Sequence, residues 1–414
     1  MMMHPESNKS FKTISLALCL IALLLAASIG FSQRVVAMSS TAFAYIAMPY
    51  KPDSSPQPVV LYRGDAHRTG AYDVPGIRAM TRVKWQLPVG EITHAPPVFA
   101  NGIIYLMSSN GRLAAIDSAT GSTIWSFKAK PATPLFSSVA VAEGVVYVAQ
   151  YKRLYALNAQ TGEKLWKFKT KDLALPGPLV VGSTIYFCCF DNNLYAVNTS
   201  TGKKRWKLDI GDSDTPPVYD NGIVYVSSLD SASNQSNLLA VDSETGQERW
   251  RIQRPASIAW ANGIAISEGL LYIASNDGRL YGINIETRDV VWSYQGGASG
   301  WSRPAVANGV VYIGNQDQYL HALNSTTGEL LWKFKAEAAV MADPIVAGGV
   351  VYFGVVNLQD TPTPRPFYAV DARTGEELWK FQADGRVIAS AAIGDGAIYF
   401  ATNFGSTGTL YALE

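Results

Sequence analysis

The stretch Leu154-Tyr-Ala-Leu-Asn-Ala-Gln-Thr-Gly-Glu-Lys-Leu-Trp-Lys-Phe168 decides the fold, because it is typical of one β-hairpin. Leu154 to Asn158 predict a short apolar strand, and Leu165 to Phe168 predict the return strand, with large side chains at every second position. Asn158 suits the entry to the turn, since its side chain can bond the backbone two residues later. Gly162 suits the exit, because glycine takes positive φ without a clash at Cβ.

The same hairpin recurs along the chain at a nearly constant interval. Its copies contain tryptophans at positions 85, 125, 166, 206, 250, 292, 332 and 379, which lie 40 to 47 residues apart. A period of this size, with strand and turn signals only, is typical of a propeller or another all-β array. One copy departs from the pattern, because Arg288 stands where the other complete copies have glycine.

Each repeat carries four strand signals, A to D, of which C and D form the opening hairpin. Strand A is a short run such as Ala95 to Ala100, and a two-residue turn such as Asn101-Gly102 leads to strand B. Strand B carries one tyrosine in each of eight repeats, at positions 105, 147, 186, 225, 272, 312, 352 and 399.

The two ends of the repeat region complement each other. The last repeat stops after strand C, while a spare strand D, Arg82 to Leu87 with Trp85, precedes the first repeat. We therefore predict an all-β, eight-bladed β-propeller of four-stranded antiparallel blades. The N-terminal strand at 82–87 completes blade 8, so that no sheet edge stays open between the chain ends.

The segment before the repeats has two parts. Residues 1–37 contain Lys9 and Lys12 followed by an apolar run from Ile14 to Ile29, which is typical of a secretory signal peptide or of an uncleaved membrane anchor. Residues 38–58 are rich in proline and read as a linker, and residues 59–414 hold the propeller. Both readings of the apolar run predict an extracytoplasmic protein that is membrane-associated only through an uncleaved N-terminal segment.

The segment Leu61 to Gly70, LYRGDAHRTG, allows two interpretations. It is a leader packed across one face of the fold, or a ligand-binding segment that uses Arg63, Asp65, His67 and Arg68.

Charge and cysteine content narrow the function classes. Lysine and arginine number 34 against 33 acidic residues, so no basic field points to nucleic acid. Cys19, Cys188 and Cys189 do not form a disulfide framework. The neighbouring Cys188 and Cys189 are either two small strand residues or a vicinal disulfide in an oxidising compartment.

The repeated Gly-Val-Val-Tyr, Leu-Tyr-Ala-Leu-Asn, Thr-Gly and Trp resemble the repeat of pyrroloquinoline quinone (PQQ) type propellers, and the leader around Arg63-Gly64-Asp65 resembles a segment that precedes such propellers. The resemblance covers about residues 60–414. It implies the fold more strongly than the function. Quinone-dependent alcohol dehydrogenases of this group carry the cofactor in the central channel, whereas BamB-like exported proteins have the same blades without one. The chain is similar in length to the second branch.

A quinone–Ca²⁺ site needs several oxygen ligands, a base carboxylate and an aromatic floor. The residues at the start of strand A, near the channel mouth, are His94, Phe136, Leu175, Asp214, Ala261, Trp301, Met341 and Ile388. Asp214 is the only carboxylate among them, and no set of three oxygen ligands occurs at matching positions. We therefore expect no bound cofactor and no catalytic or metal-binding residues, with PQQ and Ca²⁺ as the alternative.

Two functions stay open. The favoured one is a non-catalytic, BamB-like scaffold that binds a protein partner in the cell envelope; the alternative is a PQQ-dependent dehydrogenase, so the residues favour a non-enzyme without deciding it. The candidate partner contacts are Trp260, Trp301, Phe136 and Met341, although Trp301 and Met341 could instead be buried channel filling. The same face should carry three long B–C loops, at 230–237, 357–366 and 403–409.

Overall fold

The computed structural model describes residues 61–90, 95–129, 138–174, 177–213, 215–230, 233–255, 260–298, 300–356, 365–404 and 407–414. All of them belong to one compact unit. The predicted N-terminal segment, 1–37, and linker, 38–58, lie outside the described residues. Within the described part of the chain, no helix is both long and apolar enough to cross a membrane.

The described chain forms thirty-three strands. β1 (Ala71–Tyr72) belongs to the leader, which comprises residues 61–81, and β2 (Val83–Pro88) is the strand that follows it. Blade 1 consists of β3 (Val98–Ala100), β4 (Ile103–Met107), β5 (Arg112–Asp117) and β6 (Thr123–Lys128), and blade 2 of β7 (Ala140–Ala142), β8 (Val145–Ala149), β9 (Arg153–Asn158) and β10 (Lys164–Lys169). Blade 3 consists of β11 (Leu179–Val181), β12 (Thr184–Cys189), β13 (Asn193–Asn198) and β14 (Lys204–Asp209). Blade 4 consists of β15 (Val218–Asp220), β16 (Ile223–Asp230), β17 (Gln235–Asp242) and β18 (Glu248–Pro255).

The second half of the ring repeats the arrangement. Blade 5 consists of β19 (Trp260–Ser267), β20 (Leu270–Ser275), β21 (Arg279–Asn284) and β22 (Val290–Gln295), and blade 6 of β23 (Ala305–Ala307), β24 (Val310–Gly314), β25 (Tyr319–Asn324) and β26 (Leu330–Lys335). Blade 7 consists of β27 (Ile345–Ala347), β28 (Val350–Gly354), β29 (Arg365–Asp371) and β30 (Glu377–Ala383). Blade 8 contains β31 (Ala392–Gly394), β32 (Ala397–Phe404) and β33 (Thr407–Leu413). The eight-bladed, all-β prediction is confirmed.

The blades surround a channel lined by their A strands, which contact one another around the centre. Strands B and C are almost entirely buried between neighbouring blades, because their Val, Leu, Tyr and Ala side chains face apolar surface on both sides. Strand D is the outer edge, and its burial alternates along the strand, as in β10.

The predicted ring closure is confirmed. β2 pairs antiparallel with β33, from Val83 opposite Leu413 to Pro88 opposite Thr409, and so completes blade 8. The backbone N–H groups of Thr81 and Arg82 donate to the Glu414 carbonyl, which extends the pairing to the last residue. β2 therefore protects an edge of β33 that would otherwise lie open.

Strands extend into two of the three predicted long B–C loops. β16 runs to Asp230 and β17 begins at Gln235, while β32 runs to Phe404 and β33 begins at Thr407. Polar side chains of the predicted loop find partners inside the blade 4 sheet: Ser236 Oγ, for example, donates to the Ser228 carbonyl at 3.4 Å. Polar composition therefore did not end these strands. Most of the third predicted loop, residues 357–364, lies outside the described residues.

The repeated tryptophan and glycine form one contact between successive blades. Six of the eight tryptophan rings lie against the glycine of the next blade's C–D turn, where an added Cβ would come within 2.5–2.8 Å of the ring. The Nε1 of each of these six donates to a carbonyl of that next blade at 2.8–3.2 Å. The pairs are Trp85 with Gly121, Trp125 with Gly162, Trp166 with Gly202, Trp206 with Gly246, Trp292 with Gly328, and Trp332 with Gly375.

Blade 8 has no C–D turn of its own, and the leader replaces it. Trp379 of blade 7 donates to the Ile77 carbonyl at 2.8 Å, and the Tyr352 hydroxyl also bonds the backbone of Ile77. The leader thus supplies the acceptor that a turn supplies elsewhere.

Arg288 occupies the glycine position of blade 5 with the glycine conformation. Its φ is +70°, and its N–H donates to the Asn284 carbonyl at 2.8 Å, as in the other turns. The tryptophan that would face Arg288 is Trp250 of blade 4. Among the described residues, its Nε1 donates to no carbonyl of the next blade, unlike the six tryptophans above. The turn keeps its shape, and the non-glycine residue is strained within it.

Arg288→Gly is expected to raise the free energy of unfolding by roughly 0.5–1 kcal/mol, because it removes Cβ strain at positive φ. Chemical denaturation monitored by tryptophan fluorescence measures the change. Arg288→Ala is the matched control, since it keeps Cβ and removes only the guanidinium. An equal gain from alanine would assign the effect to the side chain and contradict the strain argument.

Candidate functional site

The leader lies inside the channel and bonds the inner edges of four successive blades. The carbonyls of Ala66, His67, Thr69 and Gly70 accept hydrogen bonds, at 2.7–3.0 Å, from the N–H groups of Tyr219, Ile266, Val306 and Val346. Those donors belong to the A strands of blades 4, 5, 6 and 7. β1 then pairs in parallel with β27, which gives blade 7 a fifth strand. The innermost edges, which would otherwise hold unpaired N–H groups, are closed by the chain's own leader.

The leader segment is held compact by its own bonds. The Asp65 carboxylate accepts from the Thr69 backbone N–H at 3.0 Å and from the Thr69 hydroxyl, and Gly70 N–H donates to the Arg63 carbonyl at 3.0 Å. Gly70 has φ of +67°, and an added Cβ there would lie 2.6 Å from the Arg63 guanidinium. Glycine is needed here to let the Arg63 guanidinium pack against the backbone.

Arg68 bonds carbonyls at the start of the A strands. It is 2% exposed, and its guanidinium donates to the Tyr62 carbonyl at 2.7 Å, to Gly177 at 2.9 Å and to Pro217 at 3.4 Å. Burial lowers the pKa of Arg68 to about 10, so the side chain stays charged at neutral pH. Arg68 therefore ties blades 3 and 4 to the leader through backbone acceptors that lie outside the sheet ladder.

Arg63 makes the corresponding contacts on blades 6 and 7. It is 1% exposed and donates to the Pro304 carbonyl at 2.5 Å and to the Arg68 carbonyl at 3.1 Å. Its Nη1 lies 3.7 Å from the Asp343 carboxylate, which also accepts from the Tyr62 hydroxyl and from Arg303 at 3.1 Å. Burial by itself would raise the pKa of Asp343, but Arg303 and Arg63 outweigh it and hold that pKa below its usual range.

This geometry agrees with the interpretation of residues 61–70 as a packed leader. It does not favour the ligand-binding interpretation, because Arg63, Asp65, His67 and Arg68 all have partners within the chain. Arg63, Asp65 and Arg68 bond the leader and the A strands, as described above. His67 Nε2 lies 3.0 Å from the Asp220 carboxylate of blade 4. The sequence signal was present in the clustered arginines, but nothing in it showed that their acceptors would be backbone carbonyls.

The sequence of the chain matches the family described as outer membrane protein assembly factor BamB, over residues 71–228, 191–302 and 297–414. The chain belongs to this BamB family. No curated protein matches it in sequence.

Solved structures share the fold of this BamB-family chain at low identity. The crystal structure of BamB from Moraxella catarrhalis is 16% identical, with a TM-score of 0.62, over 80% of this chain and 98% of that one. Quinohemoprotein alcohol dehydrogenase ADHIIG from Pseudomonas putida HK5 is 15% identical, with a TM-score of 0.71, over 86% and 80%. Quinohemoprotein alcohol dehydrogenase from Comamonas testosteroni is 15% identical, with a TM-score of 0.66, over 86% and 80%. These similarities establish the propeller alone.

The described channel residues do not fit a quinone–Ca²⁺ site. Of the carboxylates around residues 61–70, Asp65 is engaged by Thr69, Asp220 lies beside His67, and Asp343 is engaged by two guanidinium groups. The positive charges of Arg63 and Arg303 beside Asp343 would repel a divalent cation. Of the channel-mouth residues, His94, Phe136, Leu175 and Asp214 lie outside the described residues.

The four predicted partner contacts differ in their outcome. Trp301 is 2% exposed and packs at 5.7 Å, ring to ring, against His321, so it belongs to the core of blades 5 and 6 and presents no surface. This corrects its assignment as a partner contact. Met341 is partly exposed at the channel mouth. Phe136 and the side chain of Trp260 lie outside what the structure describes.

His321 occupies a place that other blades give to tyrosine. It is 2% exposed, with Nε2 at 3.1 Å from the Asp317 carboxylate and Nδ1 at 3.1 Å from the Tyr294 hydroxyl. In blades 3 and 5 the equivalent Tyr195 and Tyr281 donate to an aspartate four residues earlier. Burial lowers the pKa of His321 more than Asp317 raises it.

His321→Tyr is expected to flatten the acid side of the stability profile. The pKa of His321 in the folded protein lies below its ordinary value of 6.5, so the unfolded chain binds a proton there more readily than the folded protein. Protonation therefore favours the unfolded chain, and the free energy of unfolding falls as pH drops below about 6.5. A shift of one unit corresponds to about 1.4 kcal/mol, and the variant should lose less stability than wild type between about pH 7 and 5. Denaturation at both pH values tests this, and parallel profiles would refute it.

Cys188 and Cys189 are buried as thiols on β12. Successive strand residues point to opposite faces, so a bond between the two would require the strand to break. Burial raises the pKa of Cys189 to about 12, and its Sγ donates to the Asp172 carbonyl at 3.3 Å.

Both thiols are expected to resist iodoacetamide in the folded protein and to react after unfolding, because neither solvent nor thiolate is available in the core. Mass spectrometry counts the adducts on the peptide with Cys188 and Cys189. Unfolded protein that stays unlabelled until a reductant is added would instead demonstrate the vicinal disulfide.

Proposed function

We propose that this BamB-family chain is an exported, non-catalytic propeller that binds a protein partner in the cell envelope. The observation that supports it most is the leader, whose buried Arg63 and Arg68 make part of the channel a packed interior. Recognition then falls to the loops, where regular scaffolds usually carry their sites. The extracytoplasmic location rests on the signal or anchor reading of residues 1–37.

The B–C face is the surface that we assign to the partner. The β16–β17 hairpin of blade 4 and the β32–β33 hairpin of blade 8 have B strands of eight residues, against five or six in the other blades. In a ring of eight, blades 4 and 8 stand opposite each other, so the two longer hairpins flank the channel mouth. The opposite face carries C–D turns with one hydrogen-bond pattern, which are Thr-Gly except for Thr287-Arg288 of blade 5, and this regularity suits a structural role.

A photo-crosslinking amino acid placed in turn on each face tests this assignment. Ser233 of blade 4 and Thr407 of blade 8 report on the B–C face, and the exposed Gln160 and Glu244 on the turn face are the matched controls. We expect a product of defined mass from the first pair only, with the partner identified by mass spectrometry and its binding repeated with purified protein. Equal crosslinking from both faces, or none, would contradict the proposal.

The alternative activity has its own measurement. Purified protein mixed with PQQ and Ca²⁺ is expected to retain no chromophore through gel filtration and to reduce no dye with alcohols. Retained quinone with alcohol-dependent dye reduction would replace the scaffold proposal with a dehydrogenase.

A further inference from the structure

The near-zero net charge of the chain conceals an uneven distribution of basic and acidic residues along it. Residues 82–209, which form blades 1 to 3 with the closing strand, hold 15 lysines and arginines against 7 acidic residues. Residues 210–414 hold 12 against 22. The two regions thus carry about +8 and −10, and one side of the ring presents a basic field that the sum over the chain does not reveal.

The basic charges concentrate on the outer strands of two neighbouring blades. The basic rim consists of exposed side chains on or next to β10 and β14: Lys164, Lys167, Lys169, Lys171, Lys203, Lys204, Arg205 and Lys207. Among the described residues, no carboxylate lies within 4 Å of these eight cationic groups; the ion pair nearest to them in sequence joins Lys152 to Asp172. Leu165, 52% exposed, lies within the same rim.

Edge protection does not explain the whole of the basic rim. Lysines on an outer strand can block unwanted strand pairing, and this need is the same in every blade. At the first two positions of the outer strand, where blades 2 and 3 have Lys164, Lys204 and Arg205, blades 5 and 6 carry the exposed Val290, Val291, Leu330 and Leu331. Lys167 and Lys169 have counterparts in blade 6, Lys333 and Lys335. The basic residues that blades 2 and 3 add at the first positions are therefore not required by edge protection.

The shape and chemistry of the basic rim favour a lipid surface. The rim follows the outside of the ring, so it offers a convex array and no groove for a peptide. Residues 82–209 use 11 lysines and 4 arginines, and lysine acts as a point charge without the bidentate geometry that selects single carboxylates or phosphates. Many lysines around an exposed leucine suit a layer of anionic headgroups.

We propose that the basic rim of blades 2 and 3 docks on an anionic phospholipid surface, independently of the partner site on the B–C face. Acidic polypeptides and nucleic acid are the competing occupants, and the test separates them.

Lysine footprinting of the full chain tests the proposal, because each lysine reports separately whether or not the N-terminal segment is in a membrane. The chain is mixed with vesicles of phosphatidylglycerol and phosphatidylcholine, or of phosphatidylcholine alone, and labelled with an acetylating reagent. With anionic vesicles, labelling of Lys167, Lys169, Lys204 and Lys207 should fall by about three-fold or more, and about 0.5 M salt should restore it. Lys333 and Lys335 of blade 6 are the internal controls and should not change.

A variant with Lys167, Lys169, Lys204 and Lys207 changed to glutamate should lose the protection of the remaining Lys164, Lys171 and Lys203 while keeping the wild-type melting temperature. Equal protection by both vesicle types, or protection of the blade 6 lysines as well, would overturn the proposal. Protection by polyglutamate or single-stranded DNA in the absence of any effect of vesicles would overturn it too, and would identify the rim as a site for that polymer.

Discussion

A chain that begins at residue 91 is expected to lose the cooperative folding of the whole ring. It lacks β2, so β33 becomes an open edge and blade 8 keeps three strands. It also lacks Trp85, whose ring packs on Gly121 and whose Nε1 donates to the Ser118 carbonyl at 3.0 Å. Loss of these contacts and of the leader should cost roughly 5 kcal/mol or more, which approaches the whole stability of many domains. Differential scanning calorimetry measures the transition.

Two further truncations separate closure from channel filling. A chain from residue 59 keeps the leader and β2 and should melt like the full chain. A chain from residue 82 keeps β2 and loses the leader, so it should fold with an intermediate melting temperature. Equal melting temperatures of the chains from 59 and 91 would contradict the closure argument. Equal melting temperatures of the chains from 59 and 82 would mean that the leader contributes nothing to stability.

The sequence predicted the ring because its signals are local and repeated. Eight strand B tyrosines count the blades, and the spare strand around Trp85 predicts closure. Arg288, which the sequence shows in place of the repeated glycine, keeps the positive φ of that turn. In each case the residue type at one position reports the local strand or turn, so the sequence alone predicts the backbone there.

The leader's path could not be read in the same way. Its bonds to blades 4 to 7 run from backbone carbonyls to backbone N–H groups, so no side-chain pattern marks them. The tryptophan–glycine contact joins two blades, and sequence reasoning assigned the glycine to turn geometry alone. Trp301 was placed at the channel mouth by counting from strand B, but the ring turns into the interface with blade 5, where apolar neighbours stabilise it.

Arg68→Met is expected to destabilise the propeller by roughly 3 kcal/mol or more, because the carbonyls of Tyr62, Gly177 and Pro217 would stay buried without their donor. Methionine fills much of the same volume, so the loss reports hydrogen bonding and charge more than a cavity. Urea denaturation followed by circular dichroism gives the free energy.

Arg78→Met is the matched control within the same leader. Arg78 is exposed and pairs with Asp371 at 2.6 Å, a surface ion pair that should be worth less than about 1 kcal/mol. Arg68→Lys should fall between the two, since it keeps the charge and loses the planar fork that reaches several carbonyls. Equal effects of Arg68→Met and Arg78→Met would mean that the carbonyls at the starts of the A strands find water when the guanidinium leaves. The leader would then fill the channel without holding the blades together.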